Sequence, residues 1–164
     1  MRILLIRHGE PDYAIDGLTE KGKREVALLA KKLAKEKIDK IYSSPRGRAM
    51  LTAEPTCKAL GMEMEILPFM REFNVKRISL PYMEKPAIPW DILPAYINEK
   101  PHAYDPKLWQ ETDFIKSSEV YEEYLSVCRE FDALLARHGY ERDGYNYKAV
   151  ARTTTRSRSF ATSA

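Results

Sequence analysis

Apolar and polar positions along this chain change period several times, and the changes mark out its elements. Ile3 to Ile6 is an unbroken apolar run, as in a strand covered on both faces, and it stops abruptly at Arg7, His8, Gly9 and Glu10. Pro11 to Leu18 has no helical period and carries Pro, Asp and Gly, so it reads as a loop leaving the strand end. Thr19 can cap a helix from Glu20. Along it Val26, Leu29, Ala30 and Leu33 recur at helical spacing, while Lys23, Arg24, Lys31, Lys32 and Lys35 hold the other face. Ile38 to Tyr42 predicts a second strand, broken by Ser43-Ser44-Pro45. Ser44 as cap and Pro45 as first helical residue then start a helix through Ala49, Ala53 and Leu60, kinked at Pro55 and ended at Gly61. Met64 to Leu67 reads as a third strand.

Strand, helix, strand, helix, strand at this spacing is an α/β fold: a parallel sheet wrapped by crossover helices, with the polar strand ends on one edge. From Phe69 to Lys116 the period is lost, and prolines and tryptophans mark an ordered excursion packed by its own aromatics and expected to cover that edge. Ser117 or Ser118 caps the longest helix. Its apolar stripe is Val120, Tyr124, Val127, Cys128, Phe131, Leu134 and Leu135, and His138-Gly139 ends it. One domain is expected over residues 1–150, with 69–116 as a lid-like excursion and 151–164 as a tail unlike the rest.

Composition narrows the class. An apolar fraction of 44% with ten Tyr and two Trp is that of a folded globular chain, not a disordered one. The net charge of +3 is mild and its lysines and arginines are interleaved with acids, which suits a small anionic ligand better than nucleic acid. Cys57 and Cys128 are too few and too distant for a disulfide framework and read as buried, reduced thiols. No zinc pattern is present. The opening apolar run is too short for a signal peptide or a membrane span, so a cytoplasmic location without a membrane partner is expected.

A lone histidine is ordinarily structural, but His8 ends a buried strand between Arg7 and a glycine that lets backbone approach closely. Arg48 sits inside the first turn of the helix after the second strand. Two guanidinium groups and a helix N-terminus converging on an imidazole make a pocket for a phosphoryl group, with the imidazole as nucleophile. In the plainer reading Arg7 and Glu10 pair with each other or with surface groups.

RHGE at 7–10, LTEKG at 18–22 and SSPRGRAMLTAE at 43–54, in this order and spacing, resemble the histidine phosphatase superfamily, the phosphoglycerate mutase-like proteins. The resemblance is strong over residues 1–75 and rests on layout beyond. It implies a three-layer α/β/α sandwich with a mostly parallel sheet. It also implies a phosphatase or mutase that acts on a small phosphomonoester through a phosphohistidine, without metal or other cofactor. By matching positions, His8 is the phosphorylated histidine, Arg7 and Arg48 hold the phosphate, and Glu72 donates a proton to the leaving oxygen and later activates water. Glu10 and Arg46 fall at the mouth of the site, where Arg46 either adds charge or simply starts the helix. Pro11-Asp12-Tyr13 after RHGE is more typical of phosphatase-like members than of mutases, and Arg46-Gly47 stands where Leu and a variable residue are usual. Trp90, Tyr96, Tyr104 and Trp109 would belong to a lid that sets substrate size, more as its own small core than as a substrate stack. His102 and His138 match no motif and read as structural or surface residues.

The family completes its pocket with a second histidine at the end of a late strand. The tail ARTTTRSRSFATSA has one large apolar residue, Phe160, and no such histidine, so the last core strand is expected to be missing and the sheet edge beside the first strand uncovered. With a net stability of roughly 5 to 15 kcal/mol to draw on, such a fold is expected to be marginal and aggregation-prone. An alternative to the phosphoryl-transfer enzyme is then a remnant that binds phospho-ligands without turnover. Joining the third base of each codon to the first two of the next, with CGN arginine and TCN serine codons, makes the tail compatible with a strand such as NDTIALFCHFG. Serine codons read this way always give apolar residues, but the histidine before an apolar residue and glycine is not automatic. The tail therefore reads as the product of a shifted frame. Sequencing the gene across these codons is expected to reveal that histidine in another frame, and codons that cannot yield it sink the idea.

Overall fold

In the computed structural model of the chain, residues 1–73, 75, 78–85, 88–150 and 158–162 are described; the side chains of Trp90 and of residues 158–162, and tail positions 151–157 and 163–164, lie outside them. The chain divides into two compact units, Met1–Glu72 with Phe131–Ala164, and Phe73–Glu130.

In the first unit, β1 (Arg2–Leu5) leads to a tight pair, β2 (Pro11–Asp12) and β3 (Gly17–Leu18), antiparallel where a plain loop is expected. Helix α1 (Glu20–Leu33) starts as the sequence predicts, with Thr19 Oγ1 accepting from the Gly22 amide at 3.0 Å. Glu20 in its first turn and Lys31 and Lys32 in its last suit the helix dipole, and Val26, Ala30 and Leu33 are buried. Strand β4 (Ile41–Ser43) and helix α2 (Gly47–Leu60) follow, then β5 (Met64–Ile66), parallel to β4. Gly61 ends α2 at φ +63°, a left-handed cap that an L side chain rarely adopts. The start of α2 differs from expectation: Ser44 and Pro45 precede it, Ser44 Oγ accepting only from the Arg46 amide at 3.3 Å, and the helix begins at Gly47.

Strand alternation sorts the core into two faces. Leu4 and Ile41 pack with Leu33, Ala53 and Cys57 of α1 and α2, whereas their chain neighbours Ile3 and Tyr42 pack with Phe131 and Leu134 of helix α5 (Val120–Ala136). Successive residues of one strand point to opposite faces, so helices cover both sides of β1 and β4, which is the α/β/α layering.

The strand beside β1 is not missing. Strand β8 (Arg158–Thr162) pairs with β1 in parallel, with Leu4 opposite Ala161 and Leu5 opposite Thr162, and comes close to β4 as well. A strand ladder is made by backbone amides and carbonyls, so an exposed edge can recruit a segment that lacks the apolar run of a core strand. This removes the uncovered edge on which the expectation of a marginal fold rested. A hairpin of β6 (Tyr140–Asp143) and β7 (Asn146–Ala149) precedes it and turns at Gly144, φ +60°. No helix of the described residues is long and apolar enough to cross a membrane.

The second unit contains α3 (Pro94–Asn98), α4 (Asp113–Lys116) and the first part of α5. It has its own core of Ile78, Leu80, Ile92, Phe114, Ile115 and Val120, against which Tyr96 and Trp109 pack, as the aromatic composition implied. Tyr124 of the predicted stripe is exposed and meets the Trp109 ring edge-on at 5.2 Å. Ser118 Oγ accepts from the Val120 amide, capping α5. Cys57 is buried, Cys128 only half-buried, and both are free thiols.

His102 is exposed at φ +67°, while His138 is structural: its Nε2 lies 2.9 Å from the buried Tyr42 hydroxyl. Burial, helped by Arg137 and Lys40, holds the His138 imidazole below its ordinary value of 6.5. The unfolded chain thus takes up this proton more readily than the folded one. Stability is intact above the unfolded value and falls as pH drops through it toward the depressed folded value. Urea unfolding at about pH 7.5 and about pH 5.5 is expected to show that loss in the wild type and a smaller one in His138→Gln, because carboxylates titrate lower. Equal losses would exclude His138 as the source.

Candidate active site

The end of β1, the start of α2 and the turn after β5 deliver four of the sequence-predicted residues to one cleft. It measures about 480 Å³ and is lined by Arg7, His8, Arg48 and Glu72 with Leu5, Ile6 and Tyr13. Both parallel strand pairs run towards this edge, as open α/β sheets present their sites.

His8 Nδ1 lies 2.7 Å from the Gly9 carbonyl oxygen. A carbonyl only accepts, so Nδ1 carries a proton, and in the neutral imidazole the lone pair falls on Nε2. The Gly9 amide donates to Thr52 Oγ1 at 3.1 Å, and that hydroxyl donates to the Arg48 carbonyl at 2.8 Å, linking the His8 loop to the first turn of α2. On its other side the loop presses against α1: a Cβ on Gly22 would stand 2.3 Å from the Glu10 carbonyl oxygen.

Arg48 is only 6% exposed, an unusual place for a permanent cation. Its Nη1 donates to Asp16 Oδ1 at 2.7 Å and its Nη2 to Glu72 Oε2 at 2.9 Å, with the Tyr13 ring 5.4 Å from the guanidinium. Its Nε is buried and makes no hydrogen bond among the described residues. Asp16 Oδ2 also accepts from the Gly47 amide at 2.8 Å, so this carboxylate performs the helix cap expected of Ser44. The Gly47 amide, helped by the Arg48 guanidinium, holds the Asp16 carboxyl below the usual carboxylate range.

Glu10 and Arg46, expected at the mouth, do not line the cleft. Glu10 binds the Lys21 ammonium and the Thr19 hydroxyl, which hold its carboxyl below the ordinary value and fasten the loop to α1. Arg46 is the N-cap residue of α2. Asp16, Tyr13 and Thr52 escaped the sequence reading. Thr52 stands one helical turn beyond Arg48, a spacing that could have flagged it. Asp16 offered only that Asp is among the few residues that tolerate a left-handed backbone, here φ +47°.

The model of the histidine phosphatase superfamily (branch 1) matches residues 3–140. Phosphoserine phosphatase 1 of Hydrogenobacter thermophilus is 36% identical over 73 residues, 39% of this chain and 35% of that protein. A protein of Photorhabdus laumondii named "Probable phosphoglycerate mutase GpmB" is 33% identical over 84 residues, 46% of this chain and 39% of its own length. The matched stretches thus span well under half of these curated relatives. Among solved structures, a phosphoserine phosphatase of Entamoeba histolytica in complex with 3-phosphoglyceric acid is similar in fold, with TM-score 0.53 and 20% identity over 98% of this chain and 72% of that one.

Gly47 is the steric condition for the Asp16 bridge, since a Cβ there would stand 2.3 Å from the Asp16 carbonyl oxygen. Gly47→Ala is expected to destabilise the protein by about 1–3 kcal/mol in urea unfolding, the range for forcing a methyl into packed backbone. A loss below about 0.5 kcal/mol would show that the loop simply moves aside.

Proposed function

The chain belongs to the histidine phosphatase superfamily, and from that premise we propose that it transfers a phosphoryl group from a small phosphomonoester to Nε2 of His8. The observation that carries this reading is the His8 Nδ1 contact with the Gly9 carbonyl, which makes Nε2 the lone-pair nitrogen of the neutral ring, in a cleft shared with Arg7, Arg48 and Glu72. In-line attack forms the N–P bond as the ester P–O bond breaks. Arg7 and Arg48 balance the charge on the phosphoryl oxygens, work that needs no metal ion in this scheme. Glu72 protonates the departing alkoxide and, as carboxylate, then takes a proton from the water that cleaves the phosphohistidine. Return of the phosphoryl group to another hydroxyl would make the same machinery a mutase, and relatives carry both names.

In the structure Glu72 is engaged with Arg48. Entry of a phosphoryl group onto that guanidinium releases the carboxylate, which takes up a proton from the monoanionic phosphomonoester or from solvent before giving it to the leaving oxygen, so binding of substrate and readiness of the acid are coupled. The same ion pair favours a second reading, in which the cleft binds phospho-ligands and turns nothing over. The 164 residues hold three histidines, His8, His102 and His138, and neither of the last two lines the cleft.

Rapid mixing with a radiolabelled phosphomonoester, quenched in alkali where phosphoramidates survive, is expected to leave an acid-labile label on the wild type and none on His8→Ala. Arg48→Ala is expected to lower labelling on the order of a hundredfold. Binding of orthovanadate without any label would support the second reading, and label retained in His8→Ala would overturn the first.

A further inference from the structure

We propose that Asp16 is a positioning residue of the phosphoryl site, a single carboxylate that fixes the Arg48 guanidinium and the start of α2 to the loop that carries His8. The inference rests on the phosphoryl-binding role of Arg48 given above. Three separate features of the structure converge on it. Both oxygens of Asp16 are committed, Oδ1 to Arg48 Nη1 at 2.7 Å and Oδ2 to the Gly47 amide at 2.8 Å. Its backbone is held at φ +47°, where non-glycine residues persist only when their surroundings enforce it. The Asp16 carbonyl is so close to Gly47 that a side chain there is excluded.

The two carboxylates on Arg48 differ in what else holds them. Glu72 touches the guanidinium through one hydrogen bond and its side chain is 51% exposed, so an incoming phosphoryl group can displace it. Asp16 is anchored through the Gly47 amide as well and stays in place when Glu72 leaves. Arg48 then keeps its orientation while Nη2, freed from Glu72, meets the phosphoryl oxygens. Because Asp16 and His8 lie on one short loop, tied again to α2 by Thr52, the spacing between nucleophile and anion clamp is set before substrate arrives.

Asn also tolerates a left-handed backbone, which makes Asp16→Asn the informative change. Its amide oxygen can accept from Gly47 while its NH₂ faces the Arg48 NH₂, donor against donor, so the cap survives and the anchor does not. Asp16→Gly keeps the backbone and removes both bonds. Orthovanadate binding to the full chain, measured by calorimetry, is expected to weaken about tenfold to a hundredfold in Asp16→Asn and at least as much in Asp16→Gly, the scale of a misplaced binding group. The Tm of Asp16→Asn is expected to fall by several °C, because the buried guanidinium loses an acceptor, so vanadate binding is compared well below the midpoint of every variant. In an Arg48→Ala background, Asp16→Asn should cost little further affinity, because the two residues act as one unit; a purely structural role would add its cost in both backgrounds. Unchanged vanadate affinity in both Asp16 variants, or a full additive loss without Arg48, overturns the inference while phosphoryl labelling of His8 still stands. A wild-type chain that neither binds vanadate nor takes label overturns the function itself, and the inference with it.

Discussion

A guanidinium cannot shed its proton at any pH a protein survives, so an arginine withdrawn from water has to be surrounded by acceptors. Arg48 is in that position, and much of the first unit can be understood as what its charge requires. Asp16 comes in from the loop after His8, Glu72 from the turn after β5, and the Tyr13 ring lies over it. Removing one of these partners would leave a buried charge short of acceptors, and this costs far more than the loss of an exposed ion pair such as Lys23 with Glu20. The cleft is thus assembled by an electrostatic need.

The loop from Gly9 to Leu18 is where this need meets steric constraint. It passes α1 at Gly22 and α2 at Gly47, both at distances that leave no room for a methyl group, and the Thr19 and Thr52 hydroxyls close hydrogen bonds across the gaps. Small residues let the backbones approach, and the approach in turn brings carboxylates and amides within bonding range. A tight backbone arrangement of this kind orders His8 without burying it.

The parts of the fold that depend on side-chain period were open to reading from the sequence. Helix α1 with its Thr19 cap, the end of α2 at Gly61, the apolar stripe of α5 and the delivery of His8, Arg48 and Glu72 to one edge all follow from spacing and strand ends. The parts that depend on backbone meeting backbone were not. Strand β8 forms through main-chain ladder bonds that its residues do not announce, and α2 starts late because its cap arrives from Asp16, distant in sequence. The β6–β7 hairpin had a local mark, Asp143-Gly144, which a reading centred on apolar runs passes over. Glu10, a carboxylate close to His8 and expected at the mouth, bonds to Lys21 and braces the loop against α1.

The pairing of β1 with β8 also sets an order of events. Arg2 stands opposite Arg158, so β1 gains its ladder partner only when all the residues between them have been synthesised. Contacts of such long separation carry a large loop-closure cost and slow the search for the native state. Until then one edge of β1 is open, and a growing chain must keep it away from neighbours by other means. For a ribosome-bound copy, the helices on either side of β1 serve as a temporary shelter as well as a core, and the end of β1 that leads to His8 is among the last places to become rigid.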